Sequence, residues 1–403
     1  MSYSKLSKLY YEDENKWKNE YNQRFNSFST QHFNFFIKEY NRTKTYQAFL
    51  CYTPEITNTI DSLYRLSIKL YYFDKLLPQI AVSQYIDSCM VEEIQATNEI
   101  EGVHSSRKEI REAMTQLYAK KIKTSRFHSI VEKYNKLKNR EKIDFYTSQD
   151  VRNFYDDFIL SEVINDNPTN KPDGKIFRKN QVEVTTSTQK IIHTGVYPED
   201  KLVAEMDKAL DLLNDNEQSL FIRLAIFHYL FGYLHPFYDG NGRMIRFITS
   251  YYIALDFSPI VAFHLSLYLK KHQKTYYEMF QETNSEKSCG DLGFFVTEFL
   301  NIIKNSLEEI ISYLTKRKQE YYTYIKKIQK LNLADELTFE IYHILLQASL
   351  FTPLGATMQE ITSTINKSRN TVLKRLEDIP TSHILKDTSE KPHRFKLNLK
   401  AFE

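Results

Sequence analysis

The sequence predicts a mainly α-helical protein, interrupted by one short β-hairpin and closed by a small separate C-terminal domain. Three observations carry that expectation. The 403 residues include only nine glycines, and a glycine-poor chain rich in Leu, Ile, Tyr and Lys favours helix. Apolar residues recur at helical spacing, as at Ile86, Met90, Val91 and Ile94. Period-two alternation appears around Val182 and Val184, where a hairpin fits better.

Taken in order, residues 57–101 read as two helical segments broken near Pro78. The second runs from about Ser83 to Glu101, with Gly102 as the left-handed residue that ends it. Ser106 and Glu109 form a capping-box pattern that opens the next helix. Residues 120–145 are Lys-rich and amphipathic, the pattern of a helix with one solvated face. Asn165, Asn167, Pro168, Pro172 and Gly174 read as loop. Val182, Val184 and Ile191–Ile192 then flank the polar run Thr185 to Gln189 as the two arms of the hairpin. Helix resumes near Pro198, and residues 298–332 form one or two long connecting helices. The resulting organisation is an N-terminal helical region over 1–115, a core over 116–300, a connector over 301–334 and a separate domain over 335–403.

Composition excludes several classes. Apolar residues make up 42% and charged residues 26%, ordinary values for a globular chain with a large core. A net charge of +3 is too small for the whole surface to bind nucleic acid or membrane. Met1 to Trp17 is polar and carries no signal-peptide core, and the richest apolar run, Leu220 to Leu234, is short and interrupted by Arg223 and His228. Cys51, Cys89 and Cys289 are scattered, with neither disulfide nor metal-ligand spacing. A cytoplasmic protein with no membrane association is the expectation.

The segment His235-Pro236-Phe237-Tyr238-Asp239-Gly240-Asn241-Gly242-Arg243-Met244-Ile245-Arg246 carries most of the chemistry. Apolar helical patterns flank it on both sides. Gly240 and Gly242 permit positive φ and bring backbone N–H groups together. At a helix N-terminus such a loop accepts an anion, because unpaired N–H groups and the helix dipole both favour negative charge. Arg243 and Arg246, three residues apart, share a helix face and can bind phosphate oxygens. Asp239 is a hard oxygen ligand of the kind that holds Mg²⁺ together with substrate phosphates. His235 stands at the mouth, where a base would take a proton from an attacking hydroxyl. A lone D-G-N-G is usually a turn and a lone helix-end His usually structural. It is their concentration within twelve residues that points to a site.

This segment resembles the Fic motif, H-x-F-x-D/E-G-N-G-R-x-x-R, and matches it at every defined position; the likeness extends over about residues 57–300. The resemblance implies a protein adenylyltransferase that moves AMP from ATP to a Ser, Thr or Tyr hydroxyl of a target protein. His235 would be the base and Asp239 the ligand of Mg²⁺ or Mn²⁺. Phe237 would anchor the loop. Gly240, Asn241 and Gly242 would bind phosphate, and Arg243 and Arg246 would clamp it. Tyr268, Tyr276 and Tyr277 match the family's downstream tyrosine positions, which implies nucleotide contacts. The hairpin over 177–193 is similar to the family's flap, which implies docking of the target segment by strand addition. A homodimer stays open.

Thr97-Asn98-Glu99-Ile100-Glu101-Gly102 matches the family's inhibitory pattern S/T-x-x-x-E-G/N. A Glu in the last helical turn opposes the local dipole and seeks a cation, which Arg246 would provide. The pair would then occupy the γ-phosphate position. Thr97, one turn earlier on the same face, is expected to orient Glu101 by a hydrogen bond. The ordinary alternative is an exposed helix-end Glu.

Residues 335–403 resemble a winged helix-turn-helix. A helix over 336–350 comes first. Thr357 and Glu360 then form a capping box before Met358 to Ile365, and Ser368 caps a helix from Arg369 to Ile379. Strands around Ile384 to Lys386 and Phe395 to Leu397, with a turn at Thr388 to Pro392, complete the pattern. Lys367, Arg369, Lys374, Arg375, Lys391 and Arg394 suit phosphate contacts and Asn370 a base contact, although such domains also dock proteins. Three other functions compete with AMP transfer. A Doc-type kinase would carry Lys at the position of Gly242 and Ala at that of Gly240. AMP removal by the same site would use Glu101 to place a water. A nucleotide-sensing transcription regulator would not need an intact His235.

Overall fold

The computed structural model describes residues 4–76, 79–119, 125–185, 188–352, 355–388 and 392–403. The chain is mainly helical with small antiparallel sheets. Two short helices, α1 (Leu6–Glu12) and α2 (Glu14–Phe25), are separated by Asp13, whose carboxylate accepts from the Asn15 and Lys16 N–H groups. An antiparallel hairpin follows, β1 (Thr30–Ile37) with β2 (Tyr46–Cys51), in a region expected to be helical. Its signal is the alternation of buried Phe33, Phe35 and Ile37 with exposed His32, Asn34 and Phe36. The exposed aromatic Phe36 breaks the apolar–polar contrast and hides the period.

Two long helices follow, α3 (Pro54–Leu76) and α4 (Gln79–Ile100); the break near Pro78 lies outside the described residues. The expected start of the second helix at Ser83 is corrected to Gln79. Its end holds: Glu101 N–H donates to Asn98 O, and Gly102 adopts φ 73°. Helix α5 (Arg107–Tyr118) opens with the Ser106/Glu109 capping box. Helix α6 (His128–Lys138) buries Ile130, Val131, Tyr134 and Leu137, and it also buries Lys133, paired with Asp157 at 3.2 Å. The Lys-rich segment is therefore a core helix and not merely a solvated one. Helix α7 (Ser148–Tyr155) passes through a π-helical turn, Asp156–Leu160, into α8 (Ser161–Asp166).

The second hairpin pairs β3 (Glu183–Thr185) with β4 (Ile191–Thr194). It is narrower than the expected 177–193, because Phe177 and Arg178 are fully buried in a loop ahead of it. Helix α9 (Glu199–Leu213) leads to α10 (Leu220–Leu234), which is buried on nearly every side, and α11 (Asn241–Asp256) follows the glycine loop. Short helices α12 (Pro259–Ala262), α13 (Leu265–Lys271) and α14 (Gln273–Asn284) precede the long α15 (Gly293–Ile328).

The chain divides into two compact units whose limits fall within α3, α4 and α15: Met1–Arg65 with Val91–Leu307, and Leu66–Met90 with Glu308–Glu403. The second contains α16 (Glu336–Phe351), β5 (Ala356–Thr357), α17 (Met358–Ile365), α18 (Arg369–Asp378), β6 (Ile384–Asp387) and β7 (Arg394–Leu397), with strand order β5-β7-β6. Both expected caps form, Thr357 with Glu360 and Ser368 on the Thr371 N–H. Val372 and Leu376 pack inward. Lys367, Arg369, Asn370 and Lys374 are exposed. Arg375 is not free for a ligand, because Asp335 and Asp378 hold it at 2.6 and 3.1 Å. Lys391 and part of its turn lie outside the described residues. Among the described residues no helix is long and apolar enough to cross a membrane.

Candidate active site

The site is built where α10 ends and α11 begins. His235 terminates α10 in the left-handed region, φ 51° and ψ 64°. Phe237 is fully buried, with its ring stacked on Tyr155 at a centroid distance of 3.7 Å. Gly240, at φ 82°, lets the chain turn into α11, and a Cβ there would strike Ile159. The Asn241 side chain clamps the loop from within. Its Oδ1 accepts from Phe237 N–H at 2.9 Å and its Nδ2 donates to Phe237 O at 2.8 Å. The side-chain amide thus braces the loop against itself.

The Glu101 carboxylate lies against Gly242 in the first turn of α11. A Cβ on Gly242 would collide with the Glu101 carboxylate, so glycine at this position is what admits it. Glu101 Oε1 also lies 2.9 Å from Arg246 Nη1; the Arg246 side chain is 1% exposed and that of Glu101 24%. An anion therefore sits where unpaired N–H groups, the helix dipole and a guanidinium converge. Thr97 plays a different part from the expected one. Its hydroxyl and carbonyl oxygens accept from Arg246 Nε at 2.8 Å and Nη2 at 2.9 Å, so Thr97 orients Arg246 and not Glu101. The end of α4 is further tied down through Ile100 O, which accepts from Gln273 at 3.3 Å and Tyr277 at 3.4 Å. Glu99 pairs with Lys270.

His235 Nδ1 contacts Gly232 O at 3.3 Å, so the ring proton sits on Nδ1 and Nε2 is the basic nitrogen. Burial, then the neighbouring His193 and Arg178, push the imidazole down to about 3. Arg178 is the main support of this loop and had no sequence signal. Fully buried, it donates to His235 O at 2.9 Å, to Val196 O at 2.9 Å and to Asn180 O at 2.6 Å. Gly195 must lack a side chain because Arg178 and His235 occupy the space.

Asp239 has a 37% exposed carboxylate at the loop mouth, 4.0 Å from Arg243. Arg243, 1% exposed, faces Glu162 Oε2 at 3.3 Å, and its three side-chain nitrogens have no hydrogen-bond partner. Burial pushes the Glu162 carboxyl up, against the charges of Arg243 and Arg126. Glu162 has no motif to reveal it in the sequence. Glu93, two turns before Glu101 on α4, was equally hidden. It is fully buried, accepts from Ser266 N–H at 2.8 Å, and its carboxyl is pushed up to about 7 by burial.

The three tyrosines separate. Tyr268 is 8% exposed and stacks on His272 at 4.1 Å. Tyr276 is 3% exposed, with its hydroxyl on His228. Tyr277 is 41% exposed beside the end of α4 and alone keeps an open face.

Fold and site together define a helical protein with a histidine-headed, glycine-containing loop and an acidic side chain lodged against it. Residues 145–253 match the family model described as Fic/DOC family. Three solved structures are similar. A Fic family protein from Desulfovibrio desulfuricans G20 aligns over 86% of this chain and 97% of its own, with 18% identity and a TM-score of 0.53, which shows a shared fold. A Fic domain containing signaling protein from Bacteroides thetaiotaomicron VPI-5482 aligns over 66% and 97%, at 14% identity and TM-score 0.45. Fic-1 from C. elegans aligns over 65% and 73%, at 19% identity and TM-score 0.42.

Proposed function

We propose that this protein is an adenylyltransferase that moves AMP from ATP to a hydroxyl of a target protein, and that Glu101 holds it inactive. The observation that carries the reading is the Glu101 carboxylate seated on Gly242 and paired with Arg246. It marks a preformed anion site one side chain away from accepting a triphosphate.

The chemistry follows from the residues. The target hydroxyl oxygen attacks the α-phosphorus of ATP, and His235 Nε2 takes its proton. The bond from the α-phosphorus to the bridging oxygen breaks, and pyrophosphate leaves. The α11 N-terminus and Arg246 balance the charge of the phosphates. The half-exposed Asp239 carboxylate beside the loop fits a hard cation. Mg²⁺ held there with the phosphates would supply charge neutralisation. Short and pinned to the loop that carries His235, the β3–β4 hairpin suits strand addition by the target. Exposed Lys367, Arg369, Asn370 and Lys374 support a docking role for the C-terminal unit.

The deciding experiment uses the Glu101→Gly protein with ATP, Mg²⁺ and cell lysate. Label on the α-phosphate should appear in protein and label on the γ-phosphate should not. Retention of γ-label instead would mean phosphate transfer.

Two further outcomes are expected. Asp239→Ala in the Glu101→Gly background should shift the Mg²⁺ titration of transfer to higher concentration by at least about tenfold, because no other carboxylate lies in the loop. Superimposable titrations would remove Asp239 from the metal site. The second concerns pH. An imidazole at its ordinary value near 6.5 loses about tenfold of its base form on going to pH 5.5. His235 is depressed to about 3 and remains unprotonated there. The kcat/KM for ATP should therefore hold within about twofold between pH 7.5 and 5.5. A tenfold acid limb centred near 6.5 would show that His235 titrates normally.

A further inference from the structure

Helix α10 ends at His235 and a proline follows, which leaves the helix end short of donors. The last carbonyls of an α-helix have no partner within it, and after a left-handed residue the next N–H groups usually supply one. Pro236 has no N–H to give. The donors come instead from Arg178, which donates to Leu234 O at 3.3 Å and to His235 O at 2.9 Å. Its other two bonds reach the flanks of the second hairpin, Asn180 O before β3 at 2.6 Å and Val196 O after β4 at 2.9 Å. All four end on backbone carbonyls, and the side chain is fully buried. Burial pushes the guanidinium down to about 10, so it stays charged at neutral pH. The dipole of α10 favours a cation at that end.

His235 has a second need for this bond. At φ 51° and ψ 64° it occupies the left-handed region, which is costly for a residue with a Cβ. Such a conformation persists only where its surroundings over-determine it. Two contacts hold His235 to the last turn of α10: its N–H donates to Phe231 O at 3.0 Å, and its ring meets Gly232 O at 3.3 Å. Neither fixes ψ, the angle at which the chain leaves for the loop. The bond from Arg178 to His235 O does. Past that angle the loop is braced separately, by Asn241 on Phe237 and by the Phe237 ring on Tyr155. The hairpin is tied separately too, by Val196 N–H to Leu234 O at 3.1 Å, Asn180 N–H to the Tyr238 hydroxyl at 3.1 Å and His193 Nε2 to Tyr233 O at 2.6 Å. Arg178 therefore sits at the joint between the imidazole and the turn at Gly240.

We infer that Arg178 is a positioning residue for the base: by holding His235 O it sets the imidazole at the end of α10 against the loop that leads into α11. The inference rests on the AMP-transfer reading, in which the imidazole and the phosphates meet across that joint. It gives a part in the chemistry to a residue 57 positions away from His235 and outside the motif. It also explains how a left-handed histidine can be followed by a proline without the helix end coming loose.

The test takes the Glu101→Gly protein as parent, with α-labelled ATP and a fixed amount of cell lysate as acceptor. Arg178→Ala should lower the labelling rate at saturating ATP by about 100-fold, the cost of a displacement on the order of 1 Å, while the dissociation constant of ATP read by calorimetry stays within about threefold. Arg178→Lys keeps a cation that reaches part of the carbonyl set, and it should lose less. Guanidinium ion, added to Arg178→Ala far below denaturing concentration, should restore much of the rate, and sodium chloride at the same ionic strength should not. It should restore nothing when His235→Asn is combined with Arg178→Ala, because Arg178 acts only through residue 235. A role in folding alone predicts instead that ATP affinity falls along with the rate. That result in both variants, an unchanged rate in both, or guanidinium rescue in the absence of His235 would overturn the inference. Should Arg178→Ala fail to fold, the same split between rate and affinity is read from Arg178→Lys. A parent that labels at a rate indifferent to Arg178 defeats this inference alone, whereas a parent that labels nothing defeats the AMP-transfer reading and this inference with it.

Discussion

Replacing Glu101 with glycine is expected to raise AMP transfer by about 100-fold while ATP affinity changes far less. The carboxylate occupies the α11 N-terminus and pairs with Arg246, which on the proposed function is the phosphate end of the site. The wild type can therefore hold a nucleotide, but with its phosphates displaced. A displacement on the order of 1 Å is enough to cost about 100-fold in rate. The substitution should not unfold the protein. Arg246 keeps the two Thr97 oxygens as partners, and a glycine at a helix end costs about 1 kcal/mol or less. Glu101→Ala separates the charge effect from added backbone freedom: it too should activate, since it removes the same carboxylate. Rates are read from incorporation of α-labelled AMP at saturating ATP. An active wild type would reduce Thr97 to Gly102 to an ordinary helix end.

The second large effect is a loss. His235→Ala in the Glu101→Gly background should lower transfer by about 10²–10⁴-fold, the usual contribution of a general base, with ATP affinity nearly unchanged. The loop should survive, because Arg178 holds it through the backbone oxygens of residues 235 and 196, which the substitution leaves in place. Position 235 is left-handed, however, and alanine there is strained by roughly 1–2 kcal/mol. Asn tolerates that region better, so His235→Asn is the cleaner variant, and it should be equally inactive. Transfer that persists in both variants would place the base elsewhere.

The sequence made the site legible because its chemistry is consecutive. His235 to Arg246 lie in one stretch, and the Thr97 to Gly102 segment needed only one long-range pairing, Glu101 with Arg246. Helix caps were legible for the same reason: Ser106 with Glu109 and Thr357 with Glu360 are local. Supports that reach across the fold were not. Arg178 is one of four basic residues in its loop, with Lys171, Lys175 and Lys179, and Glu162 and Glu93 look like ordinary helix-surface acids until burial reveals them. Residue type also misled where partners decide the role. Thr97 has a hydrogen-bonding side chain of the expected kind, but its bond goes to Arg246. The β1–β2 hairpin was hidden by aromatic residues on both faces of β1.

The central claim is that Arg246 serves two competing anions, Glu101 in the silent protein and a phosphate of ATP in the active one. The most direct measurement compares AMP labelling by wild type, Glu101→Gly, Arg246→Ala and the double variant under saturating ATP and Mg²⁺. Although both single changes break the same ion pair, only Glu101→Gly should activate. Arg246→Ala and the double variant should both stay inactive, because each lacks the group that holds the phosphate. Activation by Arg246→Ala, or activity of the double variant equal to that of Glu101→Gly, would show that Arg246 is only the partner of the inhibitor and would contradict the shared-site mechanism.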